Sequence, residues 1–399
     1  MTAAVFDHLL LGAGTVFDAR RRPMATRLTL HPLHAEHSPD ATTLVAALQE
    51  VWPETAGALW LNLTSEASLK GLVQQTLPRH VFVEVPAFLA GDPTWRPLWT
   101  SDRTARASRV LKGRPLTPLD PAVIGAFAQA IVDRPDDRRL GDQVLADAPP
   151  RQLPFVQTGN TCAFEVADSF RRGAQGVVGW PLGDPPDEHT AKREIPAGVG
   201  VVMDLMQRIE RDEDPDELER VLRRAPALAY RLMRFINSPA FGLSVEINSF
   251  QHALMVLGTK RLKRWLALLV TGAVEDPELK PLMFLAVRRG LLMEELVRSQ
   301  GDEGLRNEAF ICGVFSLLDR MLGQPFDKLL ESLPVPGRVA DALASASGPL
   351  RPWLDLAVAV EMESPFDIQE ATDTLMLAPG DVNRAVLISL RAAWQMREE

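Results

Sequence analysis

The chain has 399 residues, enough for two or three domains, and its 46% hydrophobic and 24% charged residues are ordinary for a globular protein with full cores. Its formal net charge of -9 argues against non-specific nucleic-acid binding as the main function, although a local basic patch can occur in an acidic chain. The two cysteines fit a reducing compartment and lack metal-binding spacing. We see no signal peptide or membrane-length apolar run, so we expect a cytoplasmic protein without membrane insertion.

The N-terminal half alternates short apolar runs with amphipathic segments. The predicted strands include 5–10, 27–30, 58–63 and 81–85, and the predicted helices include 42–51 and 66–75. This alternation is typical of βα units around a parallel sheet that is covered on both faces. Residues 96–154 are polar and loop-like, so we expect one or more βα units to be missing and sheet edges to be open.

A linker rich in proline, glycine and charge follows, with the sequence GDPPDEHTAKREIPAGVG. We place the N-terminal domain at 1–185, the linker at 186–197 and a second domain at 198–399. Because an open barrel edge must be covered, we expect the two domains to pack as a fixed unit and residues 1–185 to aggregate when expressed alone.

Helix signals dominate the chain between Ala225 and Val270. A first helix ends at Asn237-Ser238-Pro239, since Pro239 disfavours helical geometry at Ser238. A second helix is closed by Gly258, and Thr259 caps a third helix that carries a cluster of basic residues around its apolar face. Periodicity alone therefore predicts a helical bundle.

The segments INSPAFGL and INSFQHALMVLGTKRLKRWL resemble the HDOD domain, an all-helical relative of the HD hydrolases found in bacterial signalling proteins. The Asn-Ser-Pro break, the Phe-Gly turn and the Leu-Gly boundary stand in the family's order. The resemblance implies an HDOD bundle from about Pro196 to the C-terminus that binds protein partners. We place its recognition surface on Asn237, Ser238, Pro239, Phe241, Gly242, Lys260, Arg261, Lys263 and Arg264.

HD hydrolases hold metal with a His-Asp pair and further His and Asp ligands. This chain has no histidine from Ala253 onward, and Leu318 precedes Asp319 where the pair is expected. We therefore expect no metal in this half. Asp319 is expected to be satisfied by a nearby arginine or helix terminus.

The opening residues resemble, over about 5–185, the EAL domain, a barrel-like fold whose active members hydrolyse cyclic di-GMP, and an EAL-HDOD tandem is a known bacterial arrangement. The family's Glu-x-Leu-x-Arg motif corresponds to residues 27–31, so Arg27 replaces a metal-binding carboxylate. Asn62 and Glu84 match the Asn and Glu of the next two motifs. The resemblance implies that these two residues form a relic pocket.

The remaining EAL motifs are largely lost. The paired Asp-Asp-Phe has at best Asp120 followed by proline, Gln157 and Asn160 stand at the Glu positions of Ala-Glu-x-Val-Glu-Thr, and the catalytic Lys has no counterpart. Two-metal phosphodiester hydrolysis needs several carboxylates around a metal pair. The resemblance therefore implies a degenerate EAL-like domain.

Alternative interpretations of these residues stay open. Asn62 and Glu84 form either a relic nucleotide pocket or the polar ends of barrel strands. The run from Lys260 to Arg264 either binds phosphates or forms a solvated helix face, with the solvated face favoured. His31, His34 and His37 have a spacing that suits a metal, but the neighbouring prolines favour a solvated loop.

We therefore predict an α/β plus all-α protein, with a degenerate, shortened EAL-like domain related to the TIM barrel followed by an HDOD helical bundle. Its predicted function is that of a catalytically inactive bacterial regulator that acts through protein–protein interaction, without metal or cofactor. The alternative is a non-hydrolysing cyclic di-GMP receptor. A residual phosphodiesterase and a nucleic-acid-binding protein are less favoured, because carboxylates are missing and the chain is acidic.

Overall fold

The fold is that of a computed structural model, which describes residues 2–34, 40–100, 108–115, 117–137, 151–183, 185–186, 197–223, 250–272, 276–333 and 335–396. The chain divides into two compact units. Residues 1–183 and 359–387 form the first unit, and residues 184–358 and 388–399 form the second. The first unit is therefore built from two separate stretches of sequence.

The first unit contains a closed barrel of eight strands in sequential order. Its first strand is antiparallel to both neighbours, and all other neighbouring pairs are parallel. The strands are β1 (Leu9–Asp18), β2 (Pro23–Pro32), β3 (Ala58–Leu63), β4 (Val81–Pro86), β5 (Arg109–Lys112), β6 (Gln129–Asp133), β7 (Phe155–Thr158) and β8 (Gly176–Val178).

Closure of this barrel corrects the expectation of missing strands and open edges. Strand β1 pairs with β2 along nearly its whole length and with β8 at its far end, so no edge is left among the described strands. The N-terminal domain is shortened in a connecting helix and not in the number of its strands. The only helix described between β5 and β6 has a single turn, Pro121–Ile124.

The helices between the strands begin at side-chain caps that the sequence supplies. Asp40 accepts a hydrogen bond from the Thr43 amide and Ser65 accepts one from the Ser68 amide, and each bond satisfies one of the free donors of a first turn. The helices are α1 (Ala41–Val51), α2 (Glu66–Leu72), α3 (Ala87–Ala90), α4 (Arg96–Thr100), α5 (Pro121–Ile124) and α6 (Ala163–Arg171).

The described part of the second unit is helical. Its helices are α7 (Ala197–Glu210), α8 (Pro215–Arg223), α9 (Phe250–Gly272), α10 (Lys280–Leu296), α11 (Glu303–Phe315), α12 (Leu318–Leu322), α13 (Phe326–Ser332), α14 (Gly337–Ala344) and α15 (Arg351–Glu361), the last of which continues into the first unit. Gly258 interrupts α9 with a φ of 70°, which confirms the helix boundary predicted there.

Two glycines allow the helices α10 and α11 to cross at close range. A Cβ added to Gly313 would lie 2.5 Å from the backbone nitrogen of Gly290. Phe310 and Phe315 of α11 are fully buried. This crossing therefore sets the packing of the helical core.

The second stretch of the first unit follows α15 and contains α16 (Pro365–Thr374) and the first part of α17 (Pro379–Gln395). Asn383 accepts a hydrogen bond from the Leu11 amide at 3.1 Å and donates to the carbonyls of Phe6 at 2.6 Å and Leu9 at 2.7 Å. These bonds attach the stretch to the start of β1. The predicted domain 198–399 differs from this grouping at residues 359–387, and as a family boundary it stays a prediction.

No described helix is long and apolar enough to cross a membrane.

Candidate functional site

The inward-facing side chains of the barrel form an apolar layer beneath a polar one. The apolar layer contains Val16, Ala25, Trp60, Val110, Ile131 and Val156. Because side chains alternate along a strand, the residues two positions further along β2 to β5 also face inward, at the carboxyl ends of the parallel strands. These are Arg27, Asn62, Glu84 and Lys112, and we call this end of the barrel the mouth.

Arg27 and Glu84 form a bidentate ion pair in the mouth. The Arg27 Nε donates to Glu84 Oε1 at 2.6 Å and its Nη2 donates to Oε2 at 2.8 Å. The Glu84 side chain is fully buried and that of Arg27 is 13% exposed. The two oxygens of Glu84 are therefore both engaged by a cation, so the carboxylate is neutralised locally.

Lys112 and Asn62 extend this network toward β2. The Lys112 ammonium donates to Asn62 Oδ1 at 2.8 Å and lies 3.9 Å from Glu84 Oε2. The Asn62 amide nitrogen in turn donates to Thr29 Oγ1 at 3.0 Å. Asn62 and Glu84 thus lie in one hydrogen-bonded network through Lys112.

A residue from the second stretch completes the mouth. The Arg27 Nη1 donates to Glu363 Oε2 at 2.5 Å, and the Thr29 hydroxyl donates to the same oxygen. Glu363 lies in the segment between α15 and α16. This segment belongs to the same compact unit as the barrel. Two carboxylates and two cations therefore balance one another in this pocket.

Burial and charge move the pKa values of the basic groups in the mouth. Burial alone would lower the pKa of Arg27, but the carboxylates of Glu84 and Glu363 outweigh it, so the pKa lies above its usual value. Burial lowers the pKa of Lys112, and Glu84 only partly offsets this. Burial also lowers the pKa of His31, which favours the neutral imidazole. His31 ends β2 as a strand residue, so the solvated-loop prediction does not hold for it.

One predicted position of the EAL motifs needs correction. Strand β5 ends at Lys112, and Asp120 lies beyond it, where it caps α5 and pairs with Arg96 at 2.5 Å. Gln157 follows the inward-facing Val156, so it points out of the barrel, where it donates to the Val132 carbonyl at 2.8 Å. The inward-facing residue of β7 is Thr158, which is no metal-binding carboxylate either.

Arg264 in the helical unit is buried in a network of its own. Its guanidinium donates to both oxygens of Glu294 at 2.6 Å and lies 3.9 Å from the ring centroid of Phe310. Glu294 also accepts from Arg306 at 3.3 Å. Arg264 therefore has a structural role inside the helical core.

Two residues of the predicted recognition surface, Lys263 and Arg264, form ion pairs within the helical unit. Lys263 pairs with Glu210 of α7 at 2.7 Å, and Arg264 is engaged as just described, because α9 presents both side chains to neighbouring helices. The predicted residues Asn237, Ser238, Pro239, Phe241 and Gly242 lie outside the described residues, as do the side chains of Lys260 and Arg261. For these residues the surface stays a prediction.

Asp319 is held by the residue that follows it. Its carboxylate accepts from the Arg320 amide at 2.8 Å and from the Arg320 guanidinium at 3.3 Å. This confirms the prediction that an arginine satisfies it. Burial raises the pKa of Asp319, and the nearby arginines only partly oppose this.

The chemistry of the mouth does not fit a pair of divalent metal ions. Magnesium and manganese require several carboxylate oxygens, whereas Glu84 is bound on both oxygens by Arg27 and has the Lys112 ammonium beside it. No group of three or more His, Cys, Asp or Glu residues in the described part of the chain is arranged to hold a metal ion.

Residues 195–322 match the HDOD domain family. The helical unit therefore contains an HDOD domain. The chain is 30% identical over 201 residues to the cyclic di-GMP phosphodiesterase CdgJ of Vibrio cholerae, covering 47% of this chain and 46% of CdgJ. It is 27% identical over 161 residues to the uncharacterized protein YuxH of Bacillus subtilis, covering 38% of each. The chain thus spans less than half the length of these curated relatives.

Two solved structures give weaker likenesses. A candidate phosphohydrolase from Shewanella amazonensis SB2B matches at 16% identity and a TM-score of 0.37, over 52% of this chain and 99% of that one. The EAL-like domain protein YdiV matches at 12% identity and a TM-score of 0.30, over 44% and 92%. The barrel is defined by the pairing of its own eight strands.

Sequence reasoning missed two residues of the mouth, Lys112 and Glu363. Lys112 is the inward residue of a four-residue strand, and the pattern Arg-Val-Leu-Lys with its buried Val110 and Leu111 was a usable signal for that strand. Glu363 lies beyond the HDOD match and 336 residues from Arg27. Nothing in its local sequence indicates the contact.

Proposed function

We propose that this chain is a bacterial signal-transduction protein whose barrel is catalytically silent and whose HDOD domain acts by binding protein partners. The HDOD match and the relation to CdgJ support a place in cyclic di-GMP signalling. The proposed silence rests on the mouth of the barrel.

A single observation carries the proposed silence. Glu84 is the carboxylate that β4 directs inward, and it is fully buried and saturated by Arg27, with Lys112 beside it. A metal dication placed there would face two cations in a pocket of low dielectric, where like charges repel strongly. The electrostatics of the mouth therefore oppose two-metal hydrolysis.

Hydrolysis of cyclic di-GMP by the purified full chain tests this directly. We expect no product with magnesium or manganese under conditions in which CdgJ turns substrate over. Turnover that is lost in a folded Glu84→Gln variant would refute the proposal, whereas turnover that persists in that variant would indicate a contaminating enzyme.

The partner-binding surface is proposed on the HDOD domain around Met255 and Val256 of α9. These side chains are 78% and 40% exposed. Exposed methionine is frequent at surfaces that bind protein partners. Affinity purification of the full chain from its native cell, compared with a Met255→Ser, Val256→Ser variant, tests this surface. Partners retained equally by both proteins would exclude it.

A non-hydrolysing cyclic di-GMP receptor is the second candidate. Phe88 follows β4 and Phe164 follows β7, and their rings are 66% and 70% exposed at the carboxyl end of the barrel, where bases can stack on them. The mouth itself supplies cations for phosphate. Calorimetry with cyclic di-GMP, repeated on a Phe88→Ala, Phe164→Ala variant, tests it. A wild-type chain that does not bind the nucleotide would exclude this candidate.

A further inference from the structure

Glu363 has a backbone conformation that is unfavourable for its residue type. Its φ is 56°, in the left-handed region where glycine is the usual residue at the end of a helix. Its amide donates to the Val360 carbonyl at 3.2 Å, and the Ser364 amide donates to the Ala359 carbonyl at 3.3 Å, which is the Schellman arrangement. A non-glycine residue costs about 1 kcal/mol here. From this position the Glu363 side chain reaches Arg27 and Thr29.

Strand β1 has glycines where it faces Glu363, so no β1 side chain fills the space that the Glu363 side chain occupies. A Cβ on Gly12 of β1 would lie 2.7 Å from the Glu363 Cα, and one on Gly14 would lie 2.5 Å from Glu363 Oε1. Gly12 pairs in register with Thr29 and Gly14 with Arg27. The two glycines thus open a slot that leads to the cations of the mouth.

The charges of the mouth require an anion in that slot. The charged groups that act on Lys112 are Glu84, Arg27 and Glu363. Without Glu363, Arg27 and Lys112 would share the carboxylate of Glu84, with the Arg27 side chain 13% exposed and the Lys112 side chain 37% exposed. Arg27 Nη1 and the Thr29 hydroxyl would lose the oxygen to which both donate, and a buried donor without an acceptor is unfavourable, so the pocket favours a replacement anion.

We propose that the slot bounded by Arg27, Thr29 and the glycines of β1 is a binding site for one anionic group, a phosphate or a carboxylate, and that Glu363 occupies it as an intramolecular competitor. Arg27 Nη1 and the Thr29 hydroxyl would bind the incoming group, since both already donate to one oxygen of Glu363. A ligand therefore competes with residues 359–387 for the mouth. The proposal does not depend on whether the barrel hydrolyses anything.

Glu363→Ala in the full chain tests the site, because it removes the carboxylate and keeps the left-handed strain. We expect acetate or inorganic phosphate to raise the Tm of this variant by about 2–4 °C once the anion exceeds its Kd several-fold. Sodium chloride at equal ionic strength and neutral acetamide should have no such effect. Glu370→Ala, which removes an exposed carboxylate from α16, is the matched control. If Glu363→Ala does not fold, Glu363→Gly leaves the same space and relieves the strain.

Competition is tested by comparing affinities in the wild type and in the Glu363→Ala variant. We expect the variant to bind phosphate at least tenfold more tightly than the wild type, and Thr29→Val in the same background to reverse the gain. Cyclic di-GMP as a second probe distinguishes a phosphodiester of a nucleotide from free phosphate. Equal affinity in wild type and variant, or an equal Tm shift in Glu370→Ala, would overturn the proposal.

Discussion

Two bidentate Arg–Glu pairs, one in each compact unit, have similar geometry but different surroundings. Arg27 and Glu84 meet at 2.6 and 2.8 Å in the barrel, and Arg264 and Glu294 meet at 2.6 Å twice in the HDOD domain. Arg264 packs on Phe310, and Glu294 has Arg306 as a second cation. Arg27 instead directs its third nitrogen at Glu363. The same pair is thus part of a core in one unit and part of a pocket that exchanges its anion in the other.

The largest expected effect comes from separating the two stretches of the first unit. A fragment of residues 1–185 keeps all eight strands but lacks Asn383 and Glu363, so backbone groups of residues 6–11 lose hydrogen bonds and Arg27 loses a carboxylate. We expect this fragment to aggregate or to bind hydrophobic dye. A soluble fragment with a cooperative thermal transition would show that residues 359–387 are dispensable for the barrel.

Removing the arginine of each pair should destabilise the two units unequally. Arg27→Ala leaves Glu84 fully buried without its main partner, which costs about 3–5 kcal/mol. Arg264→Ala leaves Glu294, which is 10% exposed, with Arg306, so we expect a smaller loss of about 1–3 kcal/mol. Urea unfolding of both variants measures the difference. Equal losses in the free energy of unfolding would mean that the surroundings of the two pairs do not influence their contribution to stability.

The glycines of β1 allow a finer test of the mouth. Gly12→Ala places a Cβ against the Glu363 backbone, whereas Gly14→Ala meets only the end of its flexible side chain. We expect Gly12→Ala to cost about 1–3 kcal/mol and Gly14→Ala to cost less. Hydrogen exchange at residues 360–365 should accelerate more in Gly12→Ala. A larger loss of stability in Gly14→Ala than in Gly12→Ala would show that the close contact with the Glu363 backbone is not at Gly12.

The smallest expected effects are opposite pH dependences of two buried carboxylates. Burial raises the folded-state pKa of Asp319, so its contribution to stability is lost as pH rises from its ordinary value near 3.8 through the raised value. For Asp168 burial acts in the same direction, but hydrogen bonds from Arg171, Arg172 and Arg134 outweigh it and lower the pKa to about 2. Its stabilisation is present above pH 3.8 and is lost as pH falls toward 2.

Substitution by asparagine separates these two contributions. Asp319→Asn should raise the Tm slightly at neutral pH and flatten its dependence on acidification. Asp168→Asn should lower the Tm at neutral pH by removing an ionised partner of three arginines. A neutral-pH loss in Asp319→Asn as large as that in Asp168→Asn would contradict the assigned direction of the Asp319 shift.

The sequence predictions were most accurate where a pattern of residues extends over a long segment. The helix pair that meets at Gly258 was predictable because helical periodicity extends over many residues and glycine marks the boundary, whereas the helix predicted from Pro226 lies outside the described residues. Asn62 and Glu84 were predicted to share a pocket because they match two motifs of the EAL family. The motif match at Gln157 carried no information on which face of β7 the side chain takes, because a shift of one residue inverts every side chain of a strand.

Barrel closure was harder to predict because β5 and β8 have only four and three residues. Such short strands give no alternation, and the loop-like polarity of residues 96–154 was mistaken for missing units. The contact of Glu363 depends on tertiary packing across 336 residues. The left-handed conformation at this helix end favours glycine, so local sequence rules predict glycine and not glutamate at position 363.

The separation of Arg27 from Glu363 also has a consequence in time. A ribosome adds about 5–20 residues per second, so the 336 residues between them take roughly 17–70 s to synthesise. All eight strands emerge well before Glu363, and the HDOD domain is made in between. During this interval the emerged strands lack both Asn383 and Glu363, so the start of β1 is without its side-chain partner and Arg27 is without its second carboxylate. Completion of the mouth is therefore among the last events in the synthesis of the chain.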